Sequence, residues 1–262
     1  YRARNPEQNN DGSSIAEQAN IDIFRDQQLQ YQQQLESGEI SAEQQTQMLA
    51  EAERCARALL TRYEKGERVA CWAHNIPEWV LLEYGCALAG LVIVTVNPAY
   101  RSDEVHYVLT QSKAAGLFVV PDFRGNPMLS VAQELHPNCP ELREITRFDQ
   151  WAEFLATGDP NTELPVVDPG DPVMLQYTSG TTGFPKGAFL HHRGLHNNAH
   201  HFLDRMGVVD GAVYVNTMPL FHTGGSAMGR AEMLHAGAPP AAQQAAGVMA
   251  ASWRRRSQSS AP

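Results

Sequence analysis

The chain has 262 residues, which is enough for one large domain or two smaller ones with a sizeable core. Hydrophobic residues make up 43% of it and charged residues 19%, a balance typical of globular proteins. The formal net charge of −9 argues against a general affinity for nucleic acid or for anionic membranes, so any phosphate site must be local. Four cysteines without a CxxC spacing favour reduced thiols in a cytoplasmic protein.

The first 52 residues are predicted to form a polar, glutamine-rich arm that is helical or partly disordered. Near the end of this arm, Ser41 and Gln44 have the spacing of a capping box, which predicts a helix from Ser41 to about Tyr63. Small and aliphatic side chains recur along one side of that segment, so the helix is expected to pack against the core.

Strands and helices are predicted to alternate from residue 68 onward. The predicted strands cover 68–73, 91–96, 116–120 and 142–146, and the predicted helices cover 77–90, 102–112 and about 127–136. This order predicts the α/β class, with doubly wound, mostly parallel sheets and flanking helices. The longest apolar stretch, 80–96, is interrupted by Glu83 and two glycines, so we interpret it as a buried helix and strand, with no transmembrane segment.

The second half of the chain begins with a connection, 157–172, that is rich in proline, aspartate and glycine. Strand-like runs at 173–177 and 188–192 then flank a glycine-rich loop. Beyond them the sequence predicts a helix from about 194 to 206, a strand over 213–217, a loop through 225 and a helix to about 236. The predicted units are therefore the arm 1–52, a domain 53–238 and a disordered tail 239–262.

The loop itself, "YTSGTTGFPKGA" at 177–188, concentrates groups that bind anions. Its glycines, which let backbone N–H groups approach a ligand, are Gly180, Gly183 and Gly187, and its hydroxyls come from Thr178, Ser179, Thr181 and Thr182. Lys186 adds a compact positive charge that suits phosphate oxygens. The pattern predicts a polyphosphate-binding loop rather than a plain polar surface turn.

This loop differs from the P-loop of nucleotide hydrolases. Pro185 precedes the lysine, Gly187 stands where that motif has its magnesium-binding hydroxyl, and the following residues resemble a strand rather than a helix. A phosphotransferase of the P-loop type is therefore disfavoured.

A row of histidines offers a competing interpretation of the same region. His192, His196 and His200 would share one helix face at the spacing that zinc ligands use. No carboxylate that would act as a general base stands between them, so we do not expect a metal site here.

Several motifs together resemble a known family. "YTSGTTGFPKG" is similar to the signature loop of the adenylate-forming superfamily, which includes the acyl-CoA synthetases. The supporting motifs, which resemble the fatty acyl-CoA synthetase branch in the same order, are "NIPEWV" (75–80), "VNPAYR" (96–101), "HHRGL" (191–195) and "MPLFHTGG" (218–225). The likeness extends from about Glu53 to Ala238.

The resemblance implies a reaction and roles for individual residues. Members of the family convert a carboxylic acid and ATP to an acyl-adenylate and pyrophosphate, and CoA then displaces AMP to form a thioester. A fatty acid, ATP with Mg²⁺, and CoA are therefore the expected ligands. The 178–187 loop would hold the β- and γ-phosphates, with Lys186 neutralising charge as pyrophosphate leaves. His222 would lie beside the acyl carboxylate, and Gly224 and Gly225 would pack against the acyl chain.

The sequence also departs from that family. After Ala238 it contains neither a Tyr-Gly-x-Thr-Glu motif nor the second domain whose lysine is catalytic in family members. We therefore expect an N-terminal fragment that does not make acyl-CoA by itself. The alternative function is a non-catalytic fragment that binds nucleotide or a partner protein.

Overall fold

A computed structural model describes residues 42–178, 185–207 and 218–226 of the chain. Its helices are α1 (Ala42–Leu60), α2 (Pro77–Ala89), α3 (Ser102–Ser112), α4 (Met128–Leu135), α5 (Trp151–Leu155) and α6 (His192–Met206). Its strands are β1 (Arg68–Trp72), β2 (Val92–Val96), β3 (Gly116–Val119), β4 (Glu144–Arg147), β5 (Pro172–Thr178) and β6 (Lys186–His191). The predicted strand 213–217, most of the predicted helix to 236, residues 1–41 and the tail lie outside the described residues.

The six described strands form one sheet in the order β4-β3-β1-β2-β5-β6. The first five run parallel to their neighbours, and β6 pairs antiparallel with β5. Helices connect the parallel strands from β1 to β4, as βαβ crossovers require. The prediction of an α/β fold with a mostly parallel sheet and flanking helices is confirmed.

The central strands of the sheet are buried on both faces, which explains why they consist mostly of apolar residues. All five residues of β2 are buried, as a parallel strand covered by helices requires. Helix α2 begins with Pro77 in its first turn, as predicted, and ends where Gly90 adopts a left-handed conformation with φ 69°. The Leu91 N–H then donates to the Cys86 carbonyl, which closes the helix end just before β2.

Predicted and observed boundaries differ by two residues or more at four elements. Helix α1 ends at Leu60 rather than at about Tyr63, β6 covers Lys186–His191 rather than 188–192, and β4 and α6 begin at other residues than predicted. Strand β4 begins at Glu144 rather than at Leu142, because the Leu142 N–H donates to the Cys139 carbonyl in a turn. Helix α6 begins at His192, two residues before the predicted start, because residues 169–171 supply carbonyl partners for its first N–H groups. The sequence analysis also missed α5, whose Trp151 and Phe154 pack with Phe118 of β3.

Helices α1 and α2 approach each other closely at Gly85. A Cβ atom at this position would lie 2.4 Å from the Cys55 sulfur and 2.9 Å from the Cys55 Cβ. Ala52, Cys55 and Ala56 on the facing side of α1 are fully buried. Helix α1 continues through the predicted boundary at residue 52 and packs on α2. Because the two helices approach so closely, their interface depends on small side chains.

The four cysteines share one environment. Cys55, Cys71, Cys86 and Cys139 are all free thiols and all buried. Burial raises the pKa of Cys55 and of Cys71 well above that of an exposed thiol, with the neighbouring Cys86 as a smaller cause. In the parts of the chain that the structure describes, no helix combines the length and hydrophobicity of a membrane span.

Replacing Gly85 with alanine should destabilise the fold. Alanine favours the helical backbone by about 1 kcal/mol, but the added methyl group overlaps Cys55, and overpacking of this kind costs about 1 to 3 kcal/mol. We expect a lower urea midpoint for Gly85→Ala. Gly194→Ala in α6 is the control: its Cβ atom would lie 2.8 Å from the exposed His191 ring, which can rotate away at the cost of one exposed hydrogen bond, so we expect a smaller decrease than for Gly85→Ala. Equal midpoints for both variants would contradict the packing argument.

Candidate active site

The candidate site begins where β5 ends. In the antiparallel register, Thr178 pairs with Lys186, and Tyr177 pairs with Gly187. The Thr178 hydroxyl also donates to the Lys186 carbonyl at 3.4 Å. The predicted strands on the two sides of the glycine-rich loop are therefore present and are joined at their base. Ser179, Gly180, Thr181, Thr182 and Gly183 of the predicted phosphate loop lie outside the described residues.

Helix α3 braces both sides of this loop. The Tyr107 hydroxyl donates to the Pro185 carbonyl at 3.0 Å, next to Lys186. The Tyr177 hydroxyl donates to the side-chain oxygen of Gln111, one helical turn further along α3. Burial raises the pKa of Tyr177 to about 12, with the nearby Tyr107 as a smaller cause, so this hydroxyl stays protonated and remains a donor near neutral pH.

The first residues of β6 have different surroundings. The Lys186 side chain is exposed at the base of the loop, as a group that meets a ligand from solvent would be. At Gly187, a Cβ atom would lie 2.9 Å from a methyl group of Leu175 and 3.4 Å from the Tyr177 ring. Glycine at 187 is thus explained by packing of β6 across β5, and its predicted contact with phosphate stays a prediction.

A second segment, Met218–Ser226, is attached to the sheet by two side-chain amides. Asn75, three residues after β1, donates to the Met218 carbonyl at 3.2 Å and accepts from the Leu220 N–H at 2.8 Å. Gln176 of β5 donates to the Phe221 carbonyl at 2.7 Å. Leu220 is buried in the hydrophobic core, so this segment is anchored by both polar and apolar contacts.

His222 lies in this segment and is exposed. Its Nδ1 accepts a hydrogen bond from the Gly224 N–H at 3.1 Å, so the neutral ring carries its proton on Nε2. The His222 carbonyl accepts from the N–H groups of Gly225 and Ser226 at 2.8 and 3.1 Å. These bonds form a compact turn that fixes the ring relative to its own backbone.

The second of the two glycines after His222 is explained by the same turn. A Cβ atom at Gly225 would lie 2.2 Å from the Pro219 carbonyl oxygen, so a side chain there would force the turn open. One at Gly224 would lie 3.1 Å from the Met218 methyl group and would only displace the end of that flexible side chain. The predicted contact of Gly224 and Gly225 with an acyl chain is not tested by this geometry and stays a prediction.

Strand β5 brings the base of the glycine-rich loop and the His222 segment to one end of the sheet. Thr178 holds the base of the loop, and Gln176, two residues earlier on the same face, holds the His222 segment. Asn75 reaches the same segment from the carboxyl end of β1, which runs parallel to its sheet neighbours. The carboxyl ends of strands in open α/β sheets are the usual position of ligand sites.

The histidine row has structural contacts at the start of α6. His191 Nδ1 accepts from the Gly194 N–H at 2.8 Å, and the His192 N–H donates to the Asp171 carbonyl at 3.2 Å. The rings of His196 and His200 stack with their centroids 6.4 Å apart. Among the residues that the structure describes, no group of three or more His, Cys, Asp or Glu side chains is arranged to hold a metal ion.

Comparison with known proteins decides the family. Residues 43–245 match the family of AMP-binding enzymes. The chain belongs to this family. The predicted membership of the adenylate-forming superfamily is therefore confirmed, and the match includes the loop, Lys186 and the His222 segment.

Individual relatives agree with this assignment. The chain is 32% identical to YngI of Bacillus subtilis, named as an acyl-CoA synthetase, over 63% of the chain and 35% of that protein. It is 29% identical to the mitochondrial medium-chain acyl-CoA ligase ACSF2 of Rattus norvegicus, over 70% of the chain and 35% of that protein. The crystal structure of ATP-bound MatB from Rhodopseudomonas palustris superposes with a TM-score of 0.61 and 25% identity, covering 72% of this chain and 37% of MatB. The chain thus spans about a third of the length of the curated relatives it matches.

Sequence reasoning missed the residues that position the site. Asn75 lies within the "NIPEWV" motif and Gln176 within a predicted strand, but neither was assigned a role. A glutamine between apolar residues of a buried strand is a signal that the sequence did carry, because a buried amide needs a partner. For Tyr107, nothing in the sequence distinguishes it from other helix tyrosines.

Tyr107→Phe should loosen the base of the loop without changing the fold. The change removes one hydrogen bond to Pro185, so opening of the adjacent β6 backbone should become about fivefold more frequent. The measurement is the rate of cleavage by a lysine-specific protease after Lys186. The chain has two other lysines, Lys65 and Lys113, which serve as internal controls. An unchanged rate at Lys186, or an equal rise at all three sites, would contradict the bracing role.

Proposed function

We propose that this chain carries the phosphate-binding and acyl-binding elements of an ATP-dependent acid–CoA ligase that activates a fatty acid through an acyl-adenylate. The observation that supports this most strongly is the joint attachment of two elements to β5. Thr178 anchors the glycine-rich loop with Lys186, and Gln176 anchors the segment with His222. A loop for polyphosphate beside a segment for the acyl carboxylate is what adenylate formation needs, because the two reactants must meet in one geometry.

Lys186 is assigned to the β- and γ-phosphates. Its exposed ammonium group at the loop base would neutralise the charge that develops as pyrophosphate separates from the adenylate. The Thr178 hydroxyl and the loop hydroxyls would provide further hydrogen bonds to phosphate oxygens. Mg²⁺ would accompany the nucleotide, which supplies most of its oxygen ligands, since the described loop base offers a hydroxyl and no carboxylate.

His222 is assigned to the acyl carboxylate. With Nδ1 accepting from the Gly224 N–H, the Nε2–H remains as a donor for a carboxylate or adenylate oxygen. This donor would orient the attacking oxygen toward the α-phosphate of ATP. CoA is the proposed second substrate, because relatives such as ACSF2 are named as acyl-CoA ligases.

The setting of this activity follows from the thiols and from the domain organisation. We place it in a reducing compartment, the cytoplasm, because four free cysteines are buried in the fold.

Residues 53–238 are proposed as the partial AMP-binding domain, with the arm and the tail as separate units. The 262-residue chain alone is not expected to complete the reaction, since orientation of the nucleotide requires elements beyond the loop.

Affinity labelling tests whether Lys186 meets the nucleotide. An acyl-phosphate derivative of ATP transfers its acyl group to a lysine beside the terminal phosphates. With only three lysines in the chain, we expect labelling of Lys186 that millimolar ATP with Mg²⁺ suppresses, and weak, ATP-insensitive labelling of Lys65 and Lys113. Lys113→Asn is the control variant, because asparagine tolerates the left-handed backbone at position 113 (φ 53°). It removes one lysine charge away from the loop, so the ATP-sensitive labelling of Lys186 should be unchanged in this variant. ATP-insensitive labelling of Lys186 would contradict the assignment.

Turnover is tested in a chimera in which residues 43–226 replace the matching region of ACSF2. We expect acid-dependent exchange of pyrophosphate into ATP. Lys186→Ala should slow this exchange by about 10² to 10³, as loss of one preorganised transition-state donor does, with a smaller effect on acid affinity. A chimera with native circular dichroism and labelled Lys186 but no exchange would support the non-catalytic, nucleotide-binding alternative instead.

A further inference from the structure

We propose that Asn75 and Gln176 are positioning residues, which hold the His222 segment (Met218–Ser226) over the end of the sheet in a catalytically useful geometry. The catalytic part of this inference depends on the proposed function of His222. The structural part stands on the contacts of the two amides.

Asn75 makes two hydrogen bonds with the segment, one as donor and one as acceptor. Its Nδ2 donates to the Met218 carbonyl and its Oδ1 accepts from the Leu220 N–H, at 3.2 and 2.8 Å. One side-chain amide thus pairs with residues 218 and 220 as a neighbouring strand would. The partners are more than 140 positions away along the chain, so the bond fixes the segment relative to β1 rather than stabilising a local turn.

Gln176 acts on the residue immediately before His222. Its Nε2 donates to the Phe221 carbonyl at 2.7 Å, and the residue is only 7% exposed. Two residues earlier on the same face of β5, the Met174 sulfur lies 3.7 Å from the Ser226 hydroxyl, whose single hydrogen has the closer His222 carbonyl, at 3.2 Å, as its other acceptor. The segment is therefore held by β5 next to the histidine and contacts this strand again at its end.

The free-energy balance of Gln176 indicates that this residue positions the segment and adds little to the stability of the fold. Among the described residues its Oε1 atom is buried without a hydrogen-bond partner. An unpaired buried acceptor costs at least as much as one amide–carbonyl bond returns, so this glutamine contributes little net stability. A methionine has nearly the same volume and would fill the site without that cost. Glutamine at this position is therefore explained by what its Nε2 holds in place.

The first test is hydrogen exchange of the full 262-residue chain, followed by mass spectrometry of the peptide that covers residues 218–226. Gln176→Met and Asn75→Ala should each raise its exchange rate about five- to tenfold, as loss of one or two hydrogen bonds predicts. Gln176→Met should leave the thermal midpoint unchanged or raise it. The control variants are Gln133→Met and Asn198→Ala, which make the same chemical changes at exposed helix positions and should leave the exchange of this peptide unchanged. Gln133→Met should also leave the thermal midpoint unchanged, and Asn198→Ala should raise it slightly, because alanine favours the helix.

Two results would overturn the positioning role. One is unchanged exchange of the 218–226 peptide in Gln176→Met. The other is faster exchange across the whole protein together with a lower thermal midpoint, which would make both amides ordinary contributors to stability.

The second test uses a non-hydrolysable acyl-adenylate analogue, a fatty acyl sulfamate of adenosine. The wild-type chain and both controls should bind it equally, and Gln176→Met and Asn75→Ala should bind it about tenfold more weakly. Equal affinity of all variants, with faster exchange, would overturn the link to the ligand. If the wild-type chain binds no analogue, the same comparison is made in the ACSF2 chimera, which supplies the elements that orient the nucleotide. An unsubstituted chimera that binds no analogue would contradict the proposed function, and the exchange data would still decide whether the amides hold the segment.

Discussion

The antiparallel pairing of β6 with β5 is the constraint on which the rest of the site depends. All other strand pairs in the described sheet are parallel, so the chain elsewhere returns to the sheet through long crossovers. Here it turns back directly, and the pair Thr178 and Lys186 closes the base of the glycine-rich loop. Because Gly187 lacks a side chain, β6 can cross Leu175 and Tyr177 closely enough to keep this register.

Polar side chains whose burial costs free energy lie around the β5–β6 strand pair. Gln176 and the Tyr177 hydroxyl are buried in or beside an apolar strand, and each is aimed at a backbone or side-chain group of a neighbouring element. Burial of such groups returns little net stability, about 1 kcal/mol for a typical hydrogen bond. The gain is geometric, since contacts with β5 fix the positions of both the loop base and the His222 segment.

The sequence predicted the local elements well and their partners poorly. Runs such as "VIVTV" and the Pro77 start of α2 are local signals, and they identified strands and helices to within about two residues. The bonds from Gln176, Tyr107 and Asn75 join residues 45, 78 and 145 positions apart, and no periodic pattern encodes such pairs. The family motifs singled out Lys186 and His222, but which side chains hold them emerged only from the folded arrangement.

The most direct test of the account is a crystal structure of this chain with a non-hydrolysable ATP analogue and Mg²⁺. We predict terminal phosphate oxygens within about 3 Å of the Lys186 ammonium group, with the Thr178–Lys186 pair intact. Phosphates bound elsewhere on the sheet, with Lys186 still exposed to solvent, would contradict the central claim that the β5–β6 pair presents the phosphate loop.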